Sequence, residues 1–197
     1  MSYTEIADTL RRREIIILDG GTGTDIQRRG APMSGDTWCA DANLTHPDIV
    51  RAVHRDYIRA GADIITANTF ASSPILFSHI GRLDDVARID AVAVALAREA
   101  AAGTAACVAG SMSTMRPMAA GTDRNNLTFE IGEREARALF RAKANGLEAC
   151  GCDLIMMELM RDTDYAVWAS EAALATGLPV WIGLSAERGK TGALQGW

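Results

Sequence analysis

The sequence predicts an α/β protein, a (β/α)8 TIM barrel of which this chain carries about the first five βα units. Short apolar runs rich in β-branched residues alternate with longer stretches of helical period, which indicates right-handed crossovers and a parallel sheet. A polar residue also follows each apolar run, and a barrel builds its site from the carboxyl ends of different strands. An open doubly wound sheet would instead gather such groups at one switch point.

The elements follow from these patterns in chain order. Strands are predicted at residues 15–18, 63–66, 106–110, 153–157 and 179–184, and helices at residues 47–60, 84–101, 133–149 and 163–176. Pro47 is typical of a first helical turn, and Gly61 and Gly177 are typical of the end of a helix. A barrel takes about 250 residues, and no sixth strand follows Ser185. We therefore expect residues 1–197 to be the amino-terminal part of one truncated barrel domain.

Composition and charge exclude several classes of protein. The net charge is −5 and the isoelectric point is near 5.2, whereas a surface that binds nucleic acid is basic. The apolar runs are too short to cross a membrane and no signal-peptide core is present, so we expect a cytoplasmic protein. The four cysteines do not suggest a disulfide framework, and Cys150 and Cys152 are interpreted as structural.

Polar residues at the strand ends are the first candidates for a site. They are Asp19, Asn68, Ser111, Glu158 and Ser185. Asp19 and Glu158 are the main pair, because two carboxylates at one rim can bind an amine, ligate a metal or act as acid and base. Two other interpretations stay open: Asp19 could cap the turn after it, and Glu158 could belong to a salt bridge.

Two loops near these strand ends are further candidates. Backbone N–H groups near Gly20 and Gly21 can hold a small carboxylate, although the loop lacks the glycine spacing and the lysine of nucleotide-binding loops. Trp38 stands in a polar loop, where it either lines a substrate pocket or packs as a lid on an outer helix. His46 and His54 are interpreted as surface or capping residues.

Four segments in order resemble the homocysteine S-methyltransferase family. They are LDGGTGT at 18–24, NLTHPDIV at 43–50, RAGADIITANTF at 59–70 and DLIMME at 153–158. The family includes betaine- and S-methylmethionine-dependent enzymes and the homocysteine module of cobalamin-dependent methionine synthase. The resemblance implies a (β/α)8 barrel that transfers a methyl group from a small donor to homocysteine, giving methionine.

The same resemblance implies a binding arrangement. Asp19 and Glu158 would hold the homocysteine amino group, and the backbone around Gly20 and Gly21 would lie near its carboxylate. A zinc ion would stabilise the thiolate nucleophile. The family's zinc cysteines lie in Gly-x-Asn-Cys and Gly-Gly-Cys-Cys motifs that these 197 residues do not contain. We therefore expect the zinc ligands beyond Trp197 and expect this segment alone to be inactive.

Three positions that carry aromatic rings in the betaine-using branch of the family narrow the choice of methyl donor. Trp38 matches one, whereas Ala71 and Leu159 stand at the other two. Each missing ring removes about 0.5–2 kcal/mol of cation–π attraction, so an S-methylmethionine-like donor is favoured. Arg116 either meets an anionic part of the donor or lies at the surface.

Two alternatives to a methyltransferase stay open. One is a barrel lyase or aldolase, but the two lysines, Lys143 and Lys190, lie in a predicted helix and after the last strand rather than at a strand end. The other is a non-catalytic, zinc-free barrel used for binding. The sequence leaves the oligomeric state open and is compatible with a homo-oligomer.

Overall fold

The computed structural model describes residues 3–119, 126, 128–190 and 192–195. Its helices are α1 (Tyr3–Arg11), α2 (Thr22–Arg28), α3 (Ala42–Thr45), α4 (Pro47–Arg59), α5 (Pro74–His79), α6 (Asp85–Ala101), α7 (Glu133–Ala149) and α8 (Thr163–Leu174). Its strands are β1 (Ile64–Ala67), β2 (Cys107–Ser113), β3 (Leu154–Met160), β4 (Val180–Leu184), β5 (Glu187–Arg188) and β6 (Leu194–Gln195). None of the helices in these ranges is both long and apolar enough to span a bilayer.

Strands β1 to β4 form one parallel sheet, in which each strand lies beside the strand that precedes it in the chain. Ile64 pairs with Cys107 between β1 and β2, and Ser113 pairs with Glu158 between β2 and β3. Helices lie in the connections between these strands, as parallel neighbours require. The predicted α/β class with a parallel sheet is therefore confirmed, while β5 and β6 form a separate antiparallel pair.

The predicted elements lie close to the observed ones, and helix α7 has the predicted bounds. Strands β2 and β3 continue three residues further toward their carboxyl ends than predicted, so Ser111 and Glu158 lie within strands. Helices α1, α2, α3 and α5 have no counterpart among the four predicted helices. The last three are too short to show a clear helical period.

The prediction of a buried strand at residues 15–18 is wrong. Only Leu18 forms a bridge, with Ile64, and Ile15 is 84% exposed. This edge segment, residues 15–18, hydrogen-bonds to the β1 side through Asp63 N to Ile17 O (2.8 Å) and Asp19 N to Ile64 O (3.0 Å). In the described part of the chain no strand pairs with its other side, so Ile15 and Ile17 remain exposed, whereas Ile16 packs against the core.

Apolar side chains cover both faces of the sheet. On one face, Ile65, Met112 and Ile155 pack against Phe140 and other residues of the helices. On the other face, Ile6 of α1 packs against strand residues, and Trp181 Nε1 donates to Tyr3 Oη at 3.0 Å. Burying each large side chain contributes about 1.5–3 kcal/mol.

Large apolar side chains of β3, α8 and β4 are buried to different degrees. Met156, Met157 and Met160 are buried. Trp168 and Trp181 are only half-buried, because each packs at the margin of a cluster rather than within it.

His54 departs from its predicted surface or capping role. It lies on the inner side of α4 with no exposed surface, and neither ring nitrogen has a hydrogen-bond partner among the described residues. Burial lowers the pKa of His54 to about 4. His46, by contrast, stands between α3 and α4 as predicted for a helix start, with Nδ1 2.9 Å from Thr45 Oγ1.

We expect His54→Leu to stabilise the protein by about 1–3 kcal/mol, because it removes two buried polar atoms without partners. The unfolded chain binds the proton near pH 6.5, whereas the folded chain binds it only near pH 4. The free energy of unfolding is therefore highest above pH 6.5, where His54 is neutral in both states, and it falls as the pH drops toward 4. Urea unfolding at pH 7 and pH 5 should show the variant losing less stability in acid. His79→Leu, at an exposed position, is the control, and equal acid sensitivity of the His54 variant and the wild type would contradict the assignment.

Candidate functional site

A cavity of about 420 Å³ opens at the carboxyl end of the parallel strands, a volume typical of small-molecule sites. Seven of the eight predicted site residues line it: Asp19, Gly20, Gly21, Trp38, Asn68, Glu158 and Ser185. The eighth, Ser111, is buried behind the wall, where its hydroxyl donates to a Glu158 carboxylate oxygen. The structure thus brings residues from across the whole chain to one place.

Asp19 is held by the neighbouring strand. Its Oδ2 accepts a hydrogen bond from Thr66 N at 2.7 Å, and its Oδ1 accepts one from Thr66 Oγ1 at 2.9 Å. The pKa of Asp19 is raised to about 6, chiefly by burial; the hydrogen bonds from Thr66 oppose the shift, and the nearby Glu158 charge adds to it. Asp19 therefore changes charge just below neutral pH.

Glu158 lies where β3 becomes irregular. The register with β4 shifts between Met157 and Met160, and Leu159 between them has a φ of +54°. A non-glycine residue in this left-handed region costs about 1–3 kcal/mol, and such strain gathers at functional sites. Burial raises the pKa of Glu158, and the hydrogen bond from Ser111 opposes the shift.

The two carboxylates lie close enough for the charge of one to raise the pKa of the other. Two buried like charges are unfavourable unless a cation neutralises them or one takes up a proton. A protonated amine satisfies this requirement, because it offers a positive charge and three N–H donors.

The described residues do not fit a metal site. No group of three or more histidine, cysteine, aspartate or glutamate side chains in this part of the chain is arranged to hold a metal ion. None of the four cysteines lines the cavity. Burial raises the pKa of Cys39 and of Cys152 to about 12, so both thiols stay protonated in this environment.

Asn68 holds the Trp38 loop in place. Its Nδ2 donates to Cys39 O and to Asn43 Oδ1, both at 3.0 Å, and its Oδ1 accepts from the Cys39 thiol at 3.1 Å. Asn43 Nδ2 donates in return to Asn68 O at 2.9 Å. The amide of Asn68 is therefore occupied by the segment that follows Trp38, which itself has a φ of +45°.

Glycine is needed in the turn after Asp19 and in the first turn of α2 because other groups approach its backbone closely. A Cβ on Gly23 would lie 2.8 Å from both Cys39 Sγ and the Trp38 ring, and one on Gly20 would lie 2.9 Å from Tyr57 Oη. The turn leads into α2, which packs its Ile26 against α4.

A second cavity of about 280 Å³ shares Trp38, Phe70 and Leu159 with the first. The rings of Trp38 and Phe70 meet edge to face, with centroids 6.2 Å apart. Phe70 is absent from the sequence prediction, although its place two residues after Asn68 could have signalled it. Ala71, taken as the cage position, is fully buried and lines neither cavity.

The two roles considered for Arg116 are not seen in the structure. Arg116 is buried and lines neither cavity. Its guanidinium bonds to Asp162 at 2.8 Å and lies over the Tyr165 ring, 4.5 Å from the centroid. It joins the end of β2 to the start of α8.

Comparison with known proteins identifies relatives. The family model described as homocysteine S-methyltransferase matches residues 16–196. Betaine–homocysteine S-methyltransferase 1 of Sus scrofa is 28% identical over 179 residues, covering 89% of this chain and 61% of the relative. S-methylmethionine–homocysteine S-methyltransferase BHMT2 of Rattus norvegicus is 27% identical over 178 residues, covering 90% of this chain and 45% of the relative.

A solved structure shows the same fold. The metallated form of the homocysteine methyltransferase MmuM from Escherichia coli superposes with a TM-score of 0.72 and 25% identity, covering 89% of this chain and 65% of that one. The chain spans about half the length of the curated relatives it matches, from 42% to 61%.

We expect Gly23→Ala to destabilise the protein by about 1–3 kcal/mol, because the added methyl group overlaps Cys39 and Trp38. Gly21→Ala is the matched control, since the nearest atom to its new Cβ would be Thr24 Oγ1 at 3.6 Å. Urea unfolding measures both, and near-UV circular dichroism should change in the Gly23 variant. Equal stability of the two variants would contradict the packing described here.

Proposed function

The chain belongs to the homocysteine S-methyltransferase family, and on that premise we propose that the complete protein transfers a methyl group from a small onium donor to the homocysteine thiol, giving methionine. In this reaction the thiol releases its proton to solvent and the sulfur attacks the methyl carbon. A new C–S bond forms, the bond between the methyl carbon and the onium atom of the donor breaks, and its electron pair stays on that atom, which becomes neutral. The pair of partly buried carboxylates on the cavity is the observation that carries the proposal.

We propose a (β/α)8 barrel, of which the described elements form about five units. The support is the sequential order of β1 to β4, with the edge segment beside β1. Apolar side chains are exposed at both sides of this sheet, Ile15 and Ile17 at one edge and Ile182 and Leu184 at the other. A closed barrel would cover both edges.

In the proposed complex, Asp19 and Glu158 bind the ammonium group of homocysteine. The ammonium supplies the positive charge that keeps both carboxylates ionised despite their burial. Gly20 and Gly21 lie beside Asp19 on the same wall, so the substrate carboxylate fits against their backbone. Ser111 orients Glu158, Asn68 holds the loop that carries Trp38, and Ser185 completes the wall beside Glu158.

We propose that the donor lies against the wall formed by Trp38, Phe70 and Leu159, with an S-methylmethionine-like sulfonium favoured over betaine. Two aromatic faces can attract an onium cation by cation–π interaction. Leu159 contributes an aliphatic rather than an aromatic surface, and Ala71 contributes none. Curated relatives include both betaine- and S-methylmethionine-dependent enzymes, so the donor has to be tested directly.

Zinc dependence stays a prediction from the family resemblance. The residues that the structure describes do not provide a thiolate ligand set for a metal. Zinc analysis of the complete protein tests the prediction of ligands outside this chain. A cytoplasmic location and a homo-oligomer likewise remain predictions.

The lyase or aldolase alternative needs a lysine that can form a Schiff base in the cavity. Lys143 is buried in an ion pair with Asp90 and lines neither cavity, and Lys190 follows β5. A non-catalytic barrel would bind homocysteine without turning it over, which an assay of product formation distinguishes.

We expect Asp19→Asn to weaken homocysteine binding about 10- to 100-fold in the complete protein, because a charged hydrogen bond to the ammonium is lost. Metal content should not change. Affinity of the wild type should fall as the pH is lowered through about 6, where Asp19 takes up a proton. Isothermal titration calorimetry measures both effects, with the exposed Asp36→Asn as control. Loss of metal with unchanged homocysteine affinity would show that Asp19 has a different role.

We expect Leu159→Phe to raise the use of betaine relative to S-methylmethionine about two- to fivefold, because it adds a ring to the proposed donor wall. Leu159→Met keeps the volume without a ring and should leave the ratio unchanged. The ratio of kcat/KM values for the two donors is the measurement. An unchanged ratio in both variants would place the donor elsewhere.

A further inference from the structure

Lys143 is a buried cation that the proposed reaction does not use. It projects from α7 with its side chain 2% exposed. Its Nζ lies 2.7 and 2.8 Å from the two carboxylate oxygens of Asp90 on α6. Its other partners are Ser72 Oγ at 2.9 Å and the carbonyl oxygens of Thr69 and Ser72, both at 3.1 Å.

These partners place the ion pair against the loop after β1, residues 68–73. Ser72 Oγ donates to Asp90 Oδ1 at 2.6 Å, so the carboxylate of Asp90 also binds the loop directly. Two residues of the loop, Asn68 and Phe70, line the first cavity, and Phe70 also lines the second. The pair therefore fixes the backbone at Thr69, which lies between Asn68 and Phe70, and at Ser72, which follows them.

Hydrogen bonds continue from this loop to a cavity carboxylate. Thr69, whose carbonyl accepts from Lys143, donates its hydroxyl to Ser111 O at 2.9 Å and accepts from Ser111 N at 2.9 Å. The hydroxyl of Ser111 donates in turn to Glu158. A continuous path thus joins the Lys143 ammonium to the carboxylate proposed to bind the substrate amine.

Stability alone does not account for the pair. Two buried charges lose their hydration, and replacing such a pair with apolar residues is often neutral or stabilising. A buried ion pair is better suited to selecting one arrangement of the groups it touches, because few arrangements satisfy all of its hydrogen bonds.

We propose that Lys143 and Asp90 are positioning residues that hold the 68–73 loop and, through Thr69 and Ser111, orient the Glu158 carboxylate in the substrate cavity. The part of this inference that concerns substrate binding rests on the proposed function, whereas the part that concerns the loop does not. It makes no use of Lys143 as a nucleophile, because Nζ lies outside both cavities.

The test compares three variants of the complete protein with the wild type. Lys143→Met with Asp90→Leu removes both charges together, so neither is left buried alone. Ser111→Ala removes the last link to Glu158. Arg98→Met is the matched control, because Arg98 forms an ion pair with Asp153 that also joins two elements but lies at the amino end of β3.

The first readout is amide hydrogen exchange, which does not depend on the proposed function. Exchange at residues 69–73 should rise about tenfold or more in the double variant, while the control changes little there. Unchanged exchange at residues 69–73 in a folded double variant would overturn the inference, even if the wild type bound no homocysteine and the proposed function failed.

The second readout is homocysteine binding as a function of pH. Affinity should fall about tenfold in the double variant and in Ser111→Ala, but not in the control. In both variants the acid limb of binding should move to higher pH, because Glu158, which faces Asp19, loses the hydrogen bond that favours its charged form. Wild-type affinity and an unshifted acid limb in the double variant would overturn the inference. If the apolar pair does not fold, Lys143→Gln with Asp90→Asn is judged by the same two readouts.

Discussion

Two partly buried carboxylates at the end of a parallel sheet are the constraint on which the rest of this site depends. Asp19 and Glu158 lie far apart in the sequence, and the charge of Glu158 raises the cost of charging Asp19. Burial alone would drive both toward the neutral form, so the protein must supply hydrogen bonds that oppose it. Thr66 does so for Asp19 and Ser111 does so for Glu158. A substrate ammonium would add the positive charge that these neutral hydrogen-bond donors do not supply.

The loop after β1 connects this electrostatic arrangement to the fold. Asn68 at its start bonds to the segment after Trp38, Thr69 bonds to β2, and Ser72 bonds to the ion pair between α6 and α7. Phe70 O accepts from Ser113 Oγ at 2.7 Å, which fixes the loop to the end of β2 as well. Polar side chains that carry no recognisable motif in the sequence therefore fix the loop that lines the cavity.

The sequence predicts the site well for residues near the carboxyl ends of parallel segments. Asn68 and Ser185 directly follow β1 and β4, Asp19 follows the edge segment, and Glu158 lies near the end of β3, so the common direction of these segments brings them to the cavity. It predicts poorly where tertiary contacts decide. The burial of His54 and the pairing of Lys143 with Asp90 depend on how helices pack, and the exposure of Ile15 depends on a missing strand neighbour among the described residues.

The central claim is that the carboxylate pair recognises the amine of an amino-acid thiol. The most direct test compares the affinities of the complete protein for homocysteine and for 4-mercaptobutanoate, which keeps the thiol and the carboxylate but lacks the amine, at pH 8. The account predicts a preference for homocysteine on the order of 100-fold or more, because the analogue would leave two buried carboxylates without their partner. Equal affinity for the two thiols would contradict it.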